Sequence, residues 1–109
     1  MGLEHPDVAI SLNNLAEIYR AQGKCAEAEP LYQRSLKIRQ KTLGPEHPDF
    51  ALSLNNLATL YNNQGKYSEA EPLYRRALAI REKVFGPDHP FTVRVRSNLA
   101  QNHAPLPND

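Results

Sequence analysis

The chain has 109 residues and carries 13 Lys and Arg against 12 Asp and Glu, a formal charge of +1. So even a balance gives no electrostatic case for nucleic acid or an anionic membrane as partner. No apolar run approaches the roughly 20 residues that span a bilayer, and no basic stretch followed by an apolar one opens the chain as a secretory signal would. The single cysteine, Cys25, cannot form an internal disulfide, which suits a reducing compartment, so a cytoplasmic location is expected.

Taken in chain order, the sequence repeats itself. Residues 1–4 contain Gly2-Leu3-Glu4, similar to Gly44-Pro45-Glu46, and are expected to be the remnant of a preceding linker. Residues 5–46 then align on 47–88 without a gap and agree at 27 of 42 positions. Residues 89–103 begin the motif a third time, from His89-Pro90 through Asn98-Leu99-Ala100. Pro105 and Pro107 stop it, and 104–109 are expected to be a disordered tail. A fixed period of this size marks one supersecondary unit stacked on copies of itself, each burying its apolar face against its neighbours.

The unit is a pair of helices. Leu12, Leu15, Ala16 and Tyr19 fall at i, i+3, i+4 and i+7, as do Leu54, Leu57, Ala58 and Tyr61, so each set shares one helical face. Ala28, Leu31, Tyr32, Ser35 and Ile38 form a second face, echoed by Ala70, Leu73, Tyr74, Ala77 and Ile80. Pro6, Pro48 and Pro90 suit the first turn of a helix, leaving His5, His47 and His89 just outside it. Gly23, Gly44, Gly65 and Gly86 offer left-handed stops. Pro30 and Pro72 lie in the first turn of the second helices, where proline is tolerated. These signals predict helices at about 7–22, 26–42, 49–64, 68–84 and 91–103. The fold class that follows is an all-α solenoid of antiparallel helix pairs, with two full repeats and a C-terminal capping helix.

Leu54-x2-Leu57-Ala58-x2-Tyr61 followed by Ala70-x3-Tyr74-x2-Ala77 resembles the tetratricopeptide repeat signature, and residues 12–35 carry it too, with Ser35 at the last position. The common unit has about 34 residues, against 42 here. The extra length falls after Ala77, in a longer second helix and a Gly-Pro-Asp-His-Pro loop. That long form is similar to the repeats of kinesin light chains. The resemblance implies a superhelix whose first helices line a concave groove that holds a peptide or protein segment.

In that arrangement a stripe at i, i+4, i+7 and i+11 of each first helix faces the groove. It holds Ile10, Asn14, Glu17 and Ala21 in the first repeat, Leu52, Asn56, Thr59 and Asn63 in the second, and Arg94, Asn98 and Gln101 in the half repeat. Asn14, Asn56 and Asn98 form a ladder one repeat apart, with Asn13 and Asn55 on its flank. An asparagine amide offers donors and an acceptor, so it can pair with a peptide backbone whatever the side chains. The same amides could instead bond between repeats. Kinesin light chain grooves are known for acidic, tryptophan-bearing peptides, yet here only Arg20 and Arg94 are obvious basic candidates.

Arg39 and Arg81 sit in the apolar stripe of their helices, where a charge needs partners; a bond to the Gly-Pro-x-His-Pro loop or a nearby acid is expected. The three loop histidines recur one repeat apart, and packed helices lie about 8–10 Å from each other. That is too far to share a zinc ion, whose ligands stand about 2 Å from one centre, so no metal and no cofactor is expected. Nothing in the sequence has the spacing of a phosphate-binding glycine loop, a metal-ligand set or a nucleophile beside its base, and no catalytic residue is assigned. Arg96 and His103 replace the leucine and tyrosine of the earlier repeats, a polar substitution suited to the end of an array. The expected function is a scaffold for a protein or peptide ligand. The alternative is a structural module that self-associates, as a homodimer, through exposed repeat ends.

Overall fold

The computed structural model describes residues 5–103, so the readings made for 1–4 and 104–109 lie outside the described residues. Five helices follow one another: α1 (Pro6–Ala21), α2 (Cys25–Leu43), α3 (Pro48–Asn63), α4 (Tyr67–Phe85) and α5 (Pro90–Ala100). No strand occurs among the described residues. Each helix packs on the next, α1 on α2, α2 on α3, α3 on α4 and α4 on α5. The result is an elongated stack of 53 × 34 × 20 Å.

The three first helices start in the same way. Pro6, Pro48 and Pro90 occupy the first turn, and the preceding histidine is the N-cap in extended conformation. Its Nδ1 accepts from the backbone N–H two residues on, at 3.0 Å for His5 and His47 and 3.1 Å for His89. An imidazole thus does what Ser, Asp or Asn usually does at this position, satisfying a donor the helix leaves over. That role requires a lone pair on Nδ1, which places the ring proton on Nε2. The connections between paired helices turn at Gly23 and Gly65, both at φ 77°, a conformation in which a Cβ would be strained.

Small residues bring the helices together. Ala16, Ala28, Tyr32, Leu57 and Leu60 form one buried cluster across α1, α2 and α3. A second cluster, with Phe50, Ala51, Leu54, Ala77, Ile80 and Val95, joins α3, α4 and α5. Ala58, Ala70 and Tyr74 fill the wedge inside the second repeat. Alanines with no exposed surface let backbones approach closely, and each tyrosine supplies the volume beside them. Ser35 is buried without loss because its hydroxyl donates to the Ala9 carbonyl at 2.9 Å.

The exposed repeat end expected from the sequence lies on α1: Leu15 of its packing face is 42% exposed and its neighbour Ile18 54%, whereas their equivalents Leu57 and Leu60 are 4% and 0% exposed. The covering surface in the second repeat is α2, and among the described residues no helix stands on the corresponding side of α1. The last helix was expected to run to 103 but ends at Ala100. Asn102 leaves the helical path, accepting from Asn62 at 3.0 Å and donating to the Tyr67 carbonyl at 2.9 Å. Arg96 bonds Glu82 and the Pro87 carbonyl.

Candidate functional site: the groove along the first helices

An open cavity of about 810 Å3 runs along α1, α3 and α5, with α4 contributing Tyr74, Arg81 and Phe85 to its wall. Of the residues assigned to a groove from the sequence, Asn13, Asn55, Asn56 and Asn98 line it. So do Glu17, Leu52, Thr59, Asn63, Arg94 and Gln101. Ile10, Asn14 and Ala21 are exposed and are not among the lining residues.

The asparagines are joined in a staggered way. Asn56 Nδ2 donates to Asn13 Oδ1 at 2.8 Å, and Asn98 Nδ2 donates to Asn55 Oδ1 at 3.2 Å. Each bond links one first helix to the next, so the amides tie the repeats together along the groove floor. A carboxamide has two N–H donors and a carbonyl with two lone pairs. One such bond uses one donor on one side and one lone pair on the other, which leaves capacity for a second partner.

At the α1 end the groove carries a closed polar triad. Glu17 accepts from Arg20 Nη2 at 2.6 Å and from the Tyr32 hydroxyl at 2.7 Å, and Arg20 Nε reaches that hydroxyl at 3.3 Å. Burial pushes the Tyr32 phenol well above its ordinary range, and the bond to Glu17 raises it further. Burial alone would lower the Arg20 guanidinium, but its bonds to Glu17 and Tyr32 outweigh that and hold it charged. In the second repeat the same place holds Thr59 and Tyr74, joined oxygen to oxygen at 2.8 Å with no charge involved. The groove is therefore internally neutralised at this end.

The α5 end is different. Phe85, His89 and Phe91 pack with ring centroids 4.5 to 5.5 Å apart, Phe85 stacked on His89 and edge-on to Phe91, and the Arg81 guanidinium lies 5.1 Å from the Phe91 ring centre. Arg39, the equivalent of Arg81, has good partners: Nη1 donates to the Ser53 hydroxyl at 3.0 Å and to the Asp49 carbonyl at 3.3 Å. The expected bond to the loop thus appears at the start of the following helix. Burial lowers both arginines below their usual range; the Asp49 carboxylate opposes this at each, and Arg94 adds to it at Arg81. Sequence reasoning left Arg81, Phe85 and Phe91 out of the site. The signal lay in the positions that break the repeat: Leu43 becomes Phe85, Asp49 becomes Phe91 and Ser53 becomes Val95.

Among the described residues no group of His, Cys, Asp or Glu is placed to hold a metal ion, and no helix is long and apolar enough to cross a membrane.

A family model described as tetratricopeptide repeat matches residues 7–83 and again 49–104. The chain belongs to the tetratricopeptide repeat family. Its repeats are of the kinesin light chain-like kind. Among solved structures, a Podosopora anserina protein assigned to the kinesin light chains, with nearly identical TPR-like repeats, superimposes at a TM-score of 0.80 with 33% identity. That match covers 90% of this chain and 46% of the other. A single-substitution variant of the same protein gives 0.76 at 34% identity, covering 91% and 47%. BtubC (BKLC) from P. vanneervenii gives 0.82 at 27% identity, covering 90% and 39%. The chain spans less than half the length of these solved chains. A sequence comparison with curated proteins found no match. The tetratricopeptide fold is generally a protein–protein interaction scaffold, and its members bind protein partners.

Proposed function

We propose that this tetratricopeptide chain is a non-enzymatic cytoplasmic module that holds a segment of another protein in the groove along α1, α3 and α5. The observation that carries this reading is the cavity of about 810 Å3 lined by amides from three successive first helices. Side-chain amides spaced along a groove can meet peptide N–H and C=O groups at successive positions without demanding particular side chains. The neutral α1 end and the aromatic, basic α5 end give such a segment a direction. Asn63 tests the reading well, because it is exposed on the groove wall. Peptides selected on the intact chain should lose at least tenfold in affinity with Asn63→Glu while the melting temperature stays put. Undiminished binding would place the ligand elsewhere.

One observation favours self-association as a second reading. The outer face of α1 presents Ile10, Leu15 and Ile18 to solvent, and exposed apolar patches of this kind mark contact surfaces. A second copy covering this face would give an oligomer in light scattering that Leu15→Glu converts to monomer. A strict monomer at high concentration would remove this reading.

A further inference from the structure

Arg81 is 7% exposed and lines the groove, yet its Nε is buried without a hydrogen-bond partner. Among the described residues the other buried side-chain atom in this condition is Gln64 Oε1, which carries no charge. A buried guanidinium with an unmet donor costs free energy, so its retention calls for an explanation. The first repeat shows what a satisfied arginine looks like here, since Arg39 uses the Ser53 hydroxyl and the Asp49 carbonyl. In the next unit Val95 stands where Ser53 does, and Phe91 where Asp49 does. The hydroxyl acceptor is gone; Phe91 keeps the main-chain carbonyl but brings an aromatic ring in place of a carboxylate, and the guanidinium lies against that ring. Arg94 replaces Leu52 and lines the same end of the groove.

The charges there do not balance. Asp49 is the acidic residue lining this end, and it also faces Arg39, so Arg39, Arg81 and Arg94 leave a surplus of two positive charges around it. A single carboxylate would neutralise half of that surplus. A phosphomonoester carries about −1.5 to −2 and offers three acceptor oxygens. We infer that Arg81 and Arg94 form the anion subsite of the groove, and that it takes a phosphorylated side chain of the bound segment. Phe85 and Phe91 wall the subsite, and the Phe91 ring lies against the Arg81 guanidinium and fixes its plane. This inference rests on the groove reading and adds the group by which the ligand is chosen.

The intact chain is titrated with five degenerate peptide pools that differ in one fixed central residue: phosphoserine, phosphotyrosine, serine, tyrosine or glutamate. At least one phosphorylated pool should bind tenfold or more tighter than all three others. Arg81→Met should bring it down to the level of its unphosphorylated counterpart. Val95→Ser, which offers Arg81 the hydroxyl that Arg39 enjoys, should weaken it as well, as should Arg94→Gln on the exposed side. Melting curves establish that each variant is folded, and Arg94→Gln carries the test if a buried substitution is not. Phosphorylated and plain pools binding alike would overturn the inference while leaving the groove reading intact. Glutamate matching phosphate would overturn it in favour of a carboxylate site. Capture of no pool would overturn both.

Discussion

At the scale of single residues, the arginines and histidines show how one sequence position acquires different roles in successive repeats. His47 caps α3 through Nδ1, so His47→Ala should cost about 1 kcal/mol, the usual size of a lost side-chain cap. His47→Asn, which keeps an acceptor at the same reach, should recover most of it. Chemical denaturation measures both, and equal losses would mean that the ring acts by packing. Arg39 and Arg81 should separate more sharply. Arg39→Met leaves the Ser53 hydroxyl and the Asp49 carbonyl without their donor and should cost roughly 1–3 kcal/mol. Arg81→Met removes a buried charge whose Nε has no partner and should leave stability within about 0.5 kcal/mol or raise it. Equal destabilisation by the two would make Arg81 a structural residue like Arg39. Little of this was legible in the sequence. Histidine is an uncommon cap, so the recurring His-Pro suggested a loop residue instead. The loss of Arg81's partner shows only when Val95 is set beside Ser53.

At the scale of helices, the spacing of apolar residues contained nearly everything. Leu54, Leu57, Ala58 and Tyr61 fall on one face because a helix turns every 3.6 residues, and the structure buries the first three and half-buries the tyrosine. Boundaries came within a residue or two wherever proline or glycine marked them, since both act on the backbone locally. The end of α5 was misplaced because its cause is not local: Asn102 is drawn away by Asn62 and by the Tyr67 carbonyl. Burial at α1 follows from place in the stack and not from residue type, since the same types as in α3 meet solvent there instead of a neighbouring helix. Leu57→Ala, inside the cluster joining α1, α2 and α3, should cost about 2–5 kcal/mol. Leu15→Ala, at the equivalent but exposed place, should cost under about 1 kcal/mol in dilute solution. A comparable loss at both sites would show that the α1 face is covered, and its dependence on protein concentration would show whether a second copy covers it.

At the scale of the whole molecule, repetition gives a scaffold and departures from repetition give it direction. Matching residues build the stack and the amide ties along its groove. Departures such as Glu17 against Thr59, Arg94 against Leu52 and Phe91 against Asp49 make one end neutral and polar and the other aromatic and basic. The groove's place along the first helices was expected from the family resemblance, as were Asn13, Asn55, Asn56, Asn98 and Arg94 in its lining. The pairing of Asn13 with Asn56 and of Asn55 with Asn98 was not, because the stagger between stacked helices depends on how they pack. The most direct measurement of groove binding is the set of side-chain amide resonances of this chain in solution, followed as a selected peptide is added. Binding along α1, α3 and α5 predicts that the NH2 signals of Asn13, Asn55, Asn56, Asn63 and Asn98 shift together. Those of Gln40 on α2 should stay fixed. Silent groove asparagines, with shifts confined to the outer faces of α2 and α4, would contradict it.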